Sequence, residues 1–215
     1  MLFRSENSAT SIVDTNATCE LLNLRKAQTN CAQSGQPLVM CATMDKCATE
    51  GLTESERHQL LTMDFSSAKV KQTLPGFVPL YIGMPVVLRT KNLSTDLGIM
   101  NGAQGVLKLF HTTVSDNDLV YCKCAIVGFL KSKVHLPGLE ACEFPILPIS
   151  TSFTMQNRDN SDSVKIVKIR RTQLPLQPTF SITGHSAQGK TLVKIISRLH
   201  KGGFGSYVAA SRAQT

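Results

Sequence analysis

The sequence predicts an α/β fold with a β-rich segment in its middle. Three observations support this prediction. Residues 180–183 read as a short strand followed by a glycine-containing loop. Thr53 begins a helix-capping sequence. Residues 74–130 contain several short strands separated by turn signals.

The first part of the chain supplies helices and one strand. Apolar positions from Ile12 to Leu24 belong to a segment that ends near Gly35, and residues 38–42 form an apolar run suited to a buried strand. Thr53 and Glu56 form a capping box: the Thr53 hydroxyl accepts from the third helical N–H, and the Glu56 carboxylate reaches back to the cap. These features predict shape and indicate no chemistry.

The middle of the chain predicts a small barrel. Residues 84–89, 105–110 and 119–127 read as strands, and Asn101-Gly102 is a tight-turn signal because both residues tolerate positive φ. Several short strands with regular turns are typical of small barrels.

The prolines of residues 131–148 and the polar run 156–163 then predict a connection. Residues 165–171 alternate between basic and apolar side chains, which predicts a strand with one face in water.

Residues 184–191, GHSAQGKT, match the phosphate-binding loop pattern G-x-x-x-x-G-K-[ST]. The preceding strand and a helix predicted over residues 191–200 give the context that such a loop requires. However, the loop also needs an acid later in the chain to hold Mg²⁺. No Asp or Glu follows Asp162, and only 24 residues follow Thr191. A complete phosphate-loop ATPase is therefore excluded from these residues, and a truncated kinase or ATPase ranks last among the alternatives.

A different interpretation explains more of the sequence. Two spaced patterns near the end of the chain resemble two late motifs of superfamily-one DNA helicases: Thr183-x-His185-x-x-Gln188-Gly189-x-Thr191-Leu192, and Tyr207-Val208-Ala209-x-Ser211-Arg212. The nearest group is the PIF-type and RecD-like enzymes, including the helicases of Helitron transposons. Residues 80–106 resemble the start of the Src-homology-like barrel inserted in the second motor domain of PIF-type helicases. The resemblance covers residues 74–215 well and 1–73 loosely.

The resemblance implies a second RecA-like helicase domain interrupted by a small Src-homology-like β-barrel. Residues 1–73 would start the RecA-like domain and residues 74–130 would form the barrel. Residues 131–163 would connect the two units, and residues 164–215 would return to the RecA-like domain with the late helicase motifs.

The resemblance also implies roles for individual residues. Arg212 would be the arginine finger that reaches the γ-phosphate. Gln188, Gly189 and Thr191 would form the loop that couples DNA to the nucleotide cleft. Thr183 and His185 would line the DNA side. Many family members have Lys where this chain has Ser186, and Lys190 occupies a variable position of the family motif, so neither is assigned a charge contact.

The complete enzyme of this family uses ATP and Mg²⁺, held mostly by a first RecA-like domain that these residues do not include. Its partners would be that domain and single-stranded or forked DNA. We therefore expect the chain alone to be inactive, as a fragment, a partial gene product or a transposon remnant. The main alternative is a nucleic-acid-binding module without catalysis, in which Arg212 has no nucleotide role.

The charge distribution favours a polyanionic partner. The net charge is +8, and residues 163–215 contain nine Lys and Arg and no acid. Such a segment favours nucleic acid because binding releases condensed counterions. A solvated basic face is the alternative.

The seven cysteines show no C-x-x-C spacing, which predicts free structural thiols and no metal site. No signal peptide or membrane-spanning run is visible, so we expect an intracellular location, in the nucleus or mitochondrion if the source is eukaryotic.

Overall fold

The protein is seen as a computed structural model that describes residues 9–47, 51–63, 74–89, 92–129, 131–158, 164–188, 192, 194–197 and 203–212. Helices and strands follow one another in this order: β1 (Thr10–Val13), α1 (Asn16–Ser34), β2 (Val39–Ala42), β3 (Met44–Cys47), α2 (Glu54–Thr62), β4 (Phe77–Leu80), β5 (Pro85–Leu88), β6 (Gln104–Val114), β7 (Val120–Phe129), β8 (Glu143–Ile146), β9 (Ile149–Arg158), β10 (Val164–Gln173), β11 (Leu176–Pro178), β12 (Ser181–Thr183), α3 (Gly184–Ala187), β13 (Ile195–Ser197) and α4 (Gly203–Arg212).

A parallel sheet joins the two ends of the chain. Its strand order is β12-β1-β13, with β1 between two strands that lie near the C-terminus. Ser11 pairs with Ser181 on one side and Ile196 on the other. Parallel neighbours need crossover connections, and here the connection from β1 to β12 includes the whole middle of the chain.

The end of α1 and the start of α2 lie where the sequence predicts. Thr15 caps α1, and Gly35 ends it in the left-handed conformation with φ 66°, which glycine adopts without a steric penalty. The capping box of α2 is confirmed: the Thr53 hydroxyl accepts from Glu56 N at 3.2 Å, and Thr53 N donates to the Glu56 carboxylate at 2.9 Å.

The middle of the chain forms a five-stranded antiparallel sheet of order β11-β5-β6-β7-β8. The predicted turn before β6 is present, with Gly102 at φ 89°. Gly105 allows the close approach of β6 and β7, because a Cβ there would lie 2.6 Å from the Gly128 carbonyl oxygen. The closure of this sheet into a barrel stays a prediction.

Strands extend into the range predicted as a connection. Both β8 and β9 lie entirely within residues 131–163. The connection was predicted partly from the prolines of this range. Pro145, however, lies within β8 and pairs with Ile126. β8 is an edge strand, where proline needs no second ladder partner.

A second antiparallel sheet, of order β3-β10-β9, packs against α2. Strand β10 has the predicted alternation of faces. Val167 and Ile169 are buried with Leu60 of α2, whereas Lys168 and Arg170 are exposed.

The sequence did not indicate that Arg171 belongs to the buried face of β10. Its side chain is fully buried. The guanidinium forms a two-pronged ion pair with the Asp45 carboxylate, through Nε at 2.9 Å and Nη2 at 2.7 Å. It also donates to the Leu74 and Leu60 carbonyls at 3.0 and 2.7 Å, and lies 5.2 Å from the centroid of the Phe153 ring. One side chain therefore ties together β3, β9, β10, α2 and the chain entering β4.

We expect Arg171→Ala to lower the free energy of unfolding by about 3–5 kcal/mol, because it leaves the Asp45 carboxylate buried without its partner. The adjacent exposed residue provides a matched control, and Arg170→Ala should change stability by less than about 0.5 kcal/mol. Urea unfolding of both variants measures the difference. Equal midpoints would show that the buried pair does not hold this sheet.

Candidate functional site

The first part of the candidate site is the turn that follows β12. Thr183 ends β12 and caps α3: its hydroxyl accepts from Ser186 N at 3.4 Å and donates to Ser186 Oγ at 3.1 Å. The short helix then ends at Gln188, whose N–H donates to the His185 carbonyl at 3.4 Å. His185 and Gln188 are both exposed. Two of the predicted DNA-side and coupling residues are thus presented to solvent on one helical turn.

The second part of the site is the end of α4. Arg212 is the last residue of this helix, where a cation is favoured by the negative end of the helix dipole. Its side chain is half-buried, and its Nε is buried without a hydrogen-bond partner among the described residues. An unpaired buried donor costs about 1–3 kcal/mol, so the position favours an acceptor supplied from outside these residues.

The two parts of the site rest on one small apolar core. Ile12, Ile182, Ala187, Leu192 and Val208 pack together, from β1, β12, α3, the residue after the loop, and α4. The Leu192 N–H donates to the carbonyl of Arg212 at 3.1 Å. The structure therefore brings Thr183, His185, Gln188 and Arg212 onto one unit. Gly189 and Thr191 lie outside the described residues.

The phosphate-loop interpretation conflicts with this geometry. The helix predicted over residues 191–200 is wrong for Ile195–Ser197, which forms β13 beside β1. Pairing with a strand far away in the chain overrides the apolar spacing, and the β-branched Ile195 and Ile196 suit a strand. The helical turn lies instead at Gly184–Ala187, inside the motif. A phosphate loop requires a helix that starts directly after the G-K-T triplet. Residues 195–197, which would belong to that helix, form a strand instead.

Asn23, which no sequence motif marks, positions the start of β12 and with it this site. Asn23 of α1 is buried, and its side-chain amide forms hydrogen bonds with both backbone groups of Ser181, donating to the carbonyl at 3.1 Å and accepting from the N–H at 2.7 Å. The Cys19 thiol donates to the same carbonyl at 3.1 Å. Asn23 lies in the buried stripe Cys19, Asn23, Ala27 and Cys31. The four-residue spacing of these small side chains is the signal that could have identified it.

Cysteine chemistry has no support at this site. All seven cysteines lie among the described residues, and none of them forms a disulfide. Burial is the largest cause that raises the pKa of Cys19, Cys31 and Cys124. Contact with the Cys122 thiol and burial raise the pKa of Cys41. A protonated thiol is a poor nucleophile, and Cys19, Cys31 and Cys41 are buried small side chains of the core.

Neither a metal site nor a membrane-spanning helix is present in the part of the chain that the structure describes. Within those ranges no group of three or more His, Cys, Asp or Glu is placed to hold a metal ion. Among the described helices none has the length and apolar character needed to cross a membrane.

The fold is similar to that of solved Pif1 helicases. The Pif1 helicase of Candida albicans aligns with a TM-score of 0.59 at 20% identity, covering 99% of this chain and 44% of that chain. The Bacteroides Pif1 helicase in complex with ADP-AlF3 and ssDNA gives a TM-score of 0.59 at 18% identity, covering 100% of this chain and 40% of that chain. Bacteroides Pif1 bound to ssDNA gives 0.58 at 19% identity, with coverages of 100% and 40%.

The TM-scores of these alignments show a shared mixed helix and strand fold. The chain spans less than half the length of the Pif1 structures that it matches. No protein-family model matches the sequence, and no curated protein matches it.

We expect Asn23→Ala to destabilise the protein by about 1–3 kcal/mol, because it leaves the Ser181 N–H buried without its acceptor and the Ser181 carbonyl with the weak Cys19 thiol donor in place of the amide. The exposed Lys26, on the same helix, is the control, and Lys26→Ala should change stability little. Urea unfolding gives the free energies, and hydrogen exchange of the Ser181 amide gives the local effect. Unchanged protection of that amide in Asn23→Ala would contradict the positioning role.

Proposed function

We propose that this chain is the C-terminal motor half of a PIF-type, RecD-like ATP-dependent DNA helicase. In this proposal the parallel sheet β12-β1-β13 with α1, α3 and α4 is a second RecA-like domain, and the antiparallel segment inserted between β1 and β12 is a Src-homology-like barrel. The observation that carries the proposal is the convergence of the two late motifs, at Thr183–Gln188 and at Arg212, on one apolar core.

Arg212 is the proposed arginine finger. Its buried Nε has no hydrogen-bond partner in the part of the chain that the structure describes, and a transferred γ-phosphate would supply the acceptor. A guanidinium there would stabilise the charge that develops on the phosphoryl group, an effect worth ~10³–10⁵ in rate in well-studied nucleotide hydrolases. ATP and Mg²⁺ would be held mainly by a first RecA-like domain, which is the proposed protein partner.

The turn at residues 183–188 is the proposed DNA side of the motor. Exposed His185 and Gln188 would contact single-stranded or forked DNA, while Gly189 and Thr191 would continue the coupling loop. Closure of the cleft on ATP would press this turn against the DNA backbone. The shared core of α3 and α4 supports this coupling. A shift of Arg212 would move α4, and the close-packed side chains of the core would transmit that shift to Ala187 of α3.

In this proposal the phosphate loop and the acidic Mg²⁺ motif belong to the first RecA-like domain, which the 215 residues do not include, so we propose that the chain alone does not hydrolyse ATP. Robust hydrolysis by the isolated chain would contradict this. Within the proposal the protein acts inside the cell, in the nucleus or mitochondrion if eukaryotic. The processes that it would serve are DNA repair, recombination, telomere maintenance or transposition.

The second candidate is a nucleic-acid-binding module without catalysis, including a remnant of a transposon helicase. The excess of basic residues over acids in 163–215 favours it as much as it favours the helicase. The two differ at Arg212, which has a nucleotide role only in the helicase. A phosphate loop and an acidic Mg²⁺ motif upstream in the same reading frame would favour the helicase.

We expect the chain to bind a fluorescein-labelled oligothymidine, with an affinity that falls as salt rises. Gln188→Ala should weaken this binding about three- to tenfold, because it removes a side-chain hydrogen bond to the strand. Arg212→Lys and Arg212→Ala should stay within about twofold of the parent protein, because the arginine lies on the nucleotide side. Fluorescence anisotropy across a salt series measures all four proteins.

Absence of binding at low salt would remove the DNA contact. A loss in Arg212→Lys as large as that in Gln188→Ala would remove the separation between a DNA side and a nucleotide side.

A further inference from the structure

The sheet β3-β10-β9 has one face that α2 does not cover. Val167, Ile169 and Arg171 of β10 point towards α2, so the intervening side chains point the other way. Lys168 and Arg170 are exposed on this second face.

The strand register places the other members of this second face. Arg170 pairs with Lys46 of β3 on one side and with Ser152 of β9 on the other, and Lys168 pairs with Thr154. All of these residues are exposed. The outer face is defined here by five residues: Lys46, Ser152, Thr154, Lys168 and Arg170.

The charges of the outer face do not compensate one another. Lys46 and Arg170 are directly opposite, which places their Cβ atoms about 4.5–5.5 Å apart, and like charges in this arrangement destabilise a sheet. Lys168 lies two residues along the same strand, about 6.6 Å away. The adjacent acid, Asp45, points to the opposite face, where it binds Arg171. No Asp or Glu occupies this face among the described residues of the three strands.

We propose that the outer face binds the phosphate backbone of a nucleic acid strand. Three cations that repel each other favour a ligand with closely spaced negative charges, and the flanking hydroxyls of Ser152 and Thr154 are donors that phosphate oxygens accept. The described positions of this face contain no aromatic side chain, so base stacking contributes nothing and the contact is independent of sequence.

An anionic lipid surface also carries closely spaced negative charges. Nucleic acid is the proposed ligand because the proposed function is that of a DNA helicase, and the inference rests on the proposed function in this one respect. The apolar side chains at the margins also favour this choice. Met44 and Ile166 are exposed, at 43% and 67%, but the basic residues lie between them along the face. A lipid surface is better bound by contiguous apolar side chains beside the basic ones.

The outer face belongs to a different sheet from the turn at 183–188 and from Arg212. A strand held there would stay bound while the coupling turn changes its contacts during a nucleotide cycle. The outer face is therefore a second, nucleotide-independent contact that limits dissociation between steps.

The test compares two triple variants with the same net charge. In the first, Lys46, Lys168 and Arg170 are each replaced by Gln. In the control, the exposed residues Lys123, Lys131 and Lys133 are each replaced by Gln. Binding of a labelled oligothymidine is measured by anisotropy across a salt series, and thermal unfolding verifies that both variants fold.

We expect the first variant to lose roughly tenfold in affinity at low salt. The slope of log K against log salt should fall by about 2, because three phosphate contacts each contribute about 0.7 on a single strand. The control should stay within about threefold of the parent protein. Equal losses in the two variants would overturn the proposal, since only net charge would then matter. Loss of binding to phosphatidylserine vesicles with unchanged oligothymidine binding would also overturn it, in favour of a membrane.

The outcome is separable from that of the proposed function. If the first triple variant loses binding and Gln188→Ala does not, the outer face is supported and the coupling turn is not. The reverse result supports the coupling turn and removes the outer face.

Discussion

The buried ion pair between Arg171 and Asp45 is the constraint on which the β3-β10-β9 sheet depends. A fully buried guanidinium is costly unless paired and hydrogen-bonded, and here Asp45 and two backbone carbonyls meet that requirement. One of those carbonyls belongs to Leu60. It lies in the last turn of α2, where carbonyl groups have no hydrogen-bond partner within the helix. The pair thus fixes the position of the helix as well as the pairing of the strands.

The same ion pair fixes which charges face water. In a strand, a slip of one residue exchanges the two faces. Moving Arg171 into water would bury Arg170, which has no acid opposite it in β3 or β9. The register that satisfies Arg171 therefore also presents Lys168, Arg170 and Lys46 together on the outer face. One buried carboxylate determines the electrostatic character of a surface on the other side of the sheet.

A separate pair of hydrogen bonds, made by the Asn23 side chain, positions the candidate site. Ser181, which Asn23 holds, lies two residues before Thr183. The position of α1 therefore determines where β12 ends and α3 begins. From there the apolar core links α3, Leu192 and α4, and the last residue of α4 is Arg212. The exposed turn and the half-buried arginine are thereby held on one packed unit, which is what the proposed coupling between DNA and nucleotide requires.

Local features of the fold could be predicted from the sequence, and long-range ones could not. The Thr53 capping box and the Gly35 stop depend on neighbours within a few residues, and both are present. β13 was missed because its partner, β1, lies about 185 residues earlier in the chain. The inward position of Arg171 was missed because alternation alone does not identify a buried acid on another strand.

The candidate site shows the same division between local and long-range information. The motif residues Thr183, His185, Gln188 and Arg212 are visible as sequence patterns. Neither the support from Asn23 nor the partnerless Nε of Arg212 can be seen without the packing. The outer face likewise needs the register of three strands, since Lys46 and Arg170 are far apart in sequence.

The central claim is that DNA is bound at the turn after β12 and the nucleotide phosphate at Arg212. The most direct measurement is an NMR titration of the ¹⁵N-labelled chain with oligothymidine, which follows the amides of His185 and Gln188 and the Nε–Hε group of Arg212. The account predicts progressive shifts at His185 and Gln188 while the Arg212 Nε–Hε signal stays in place. Shifts at Arg212 without shifts at His185 and Gln188 would contradict it and make the arginine a DNA contact.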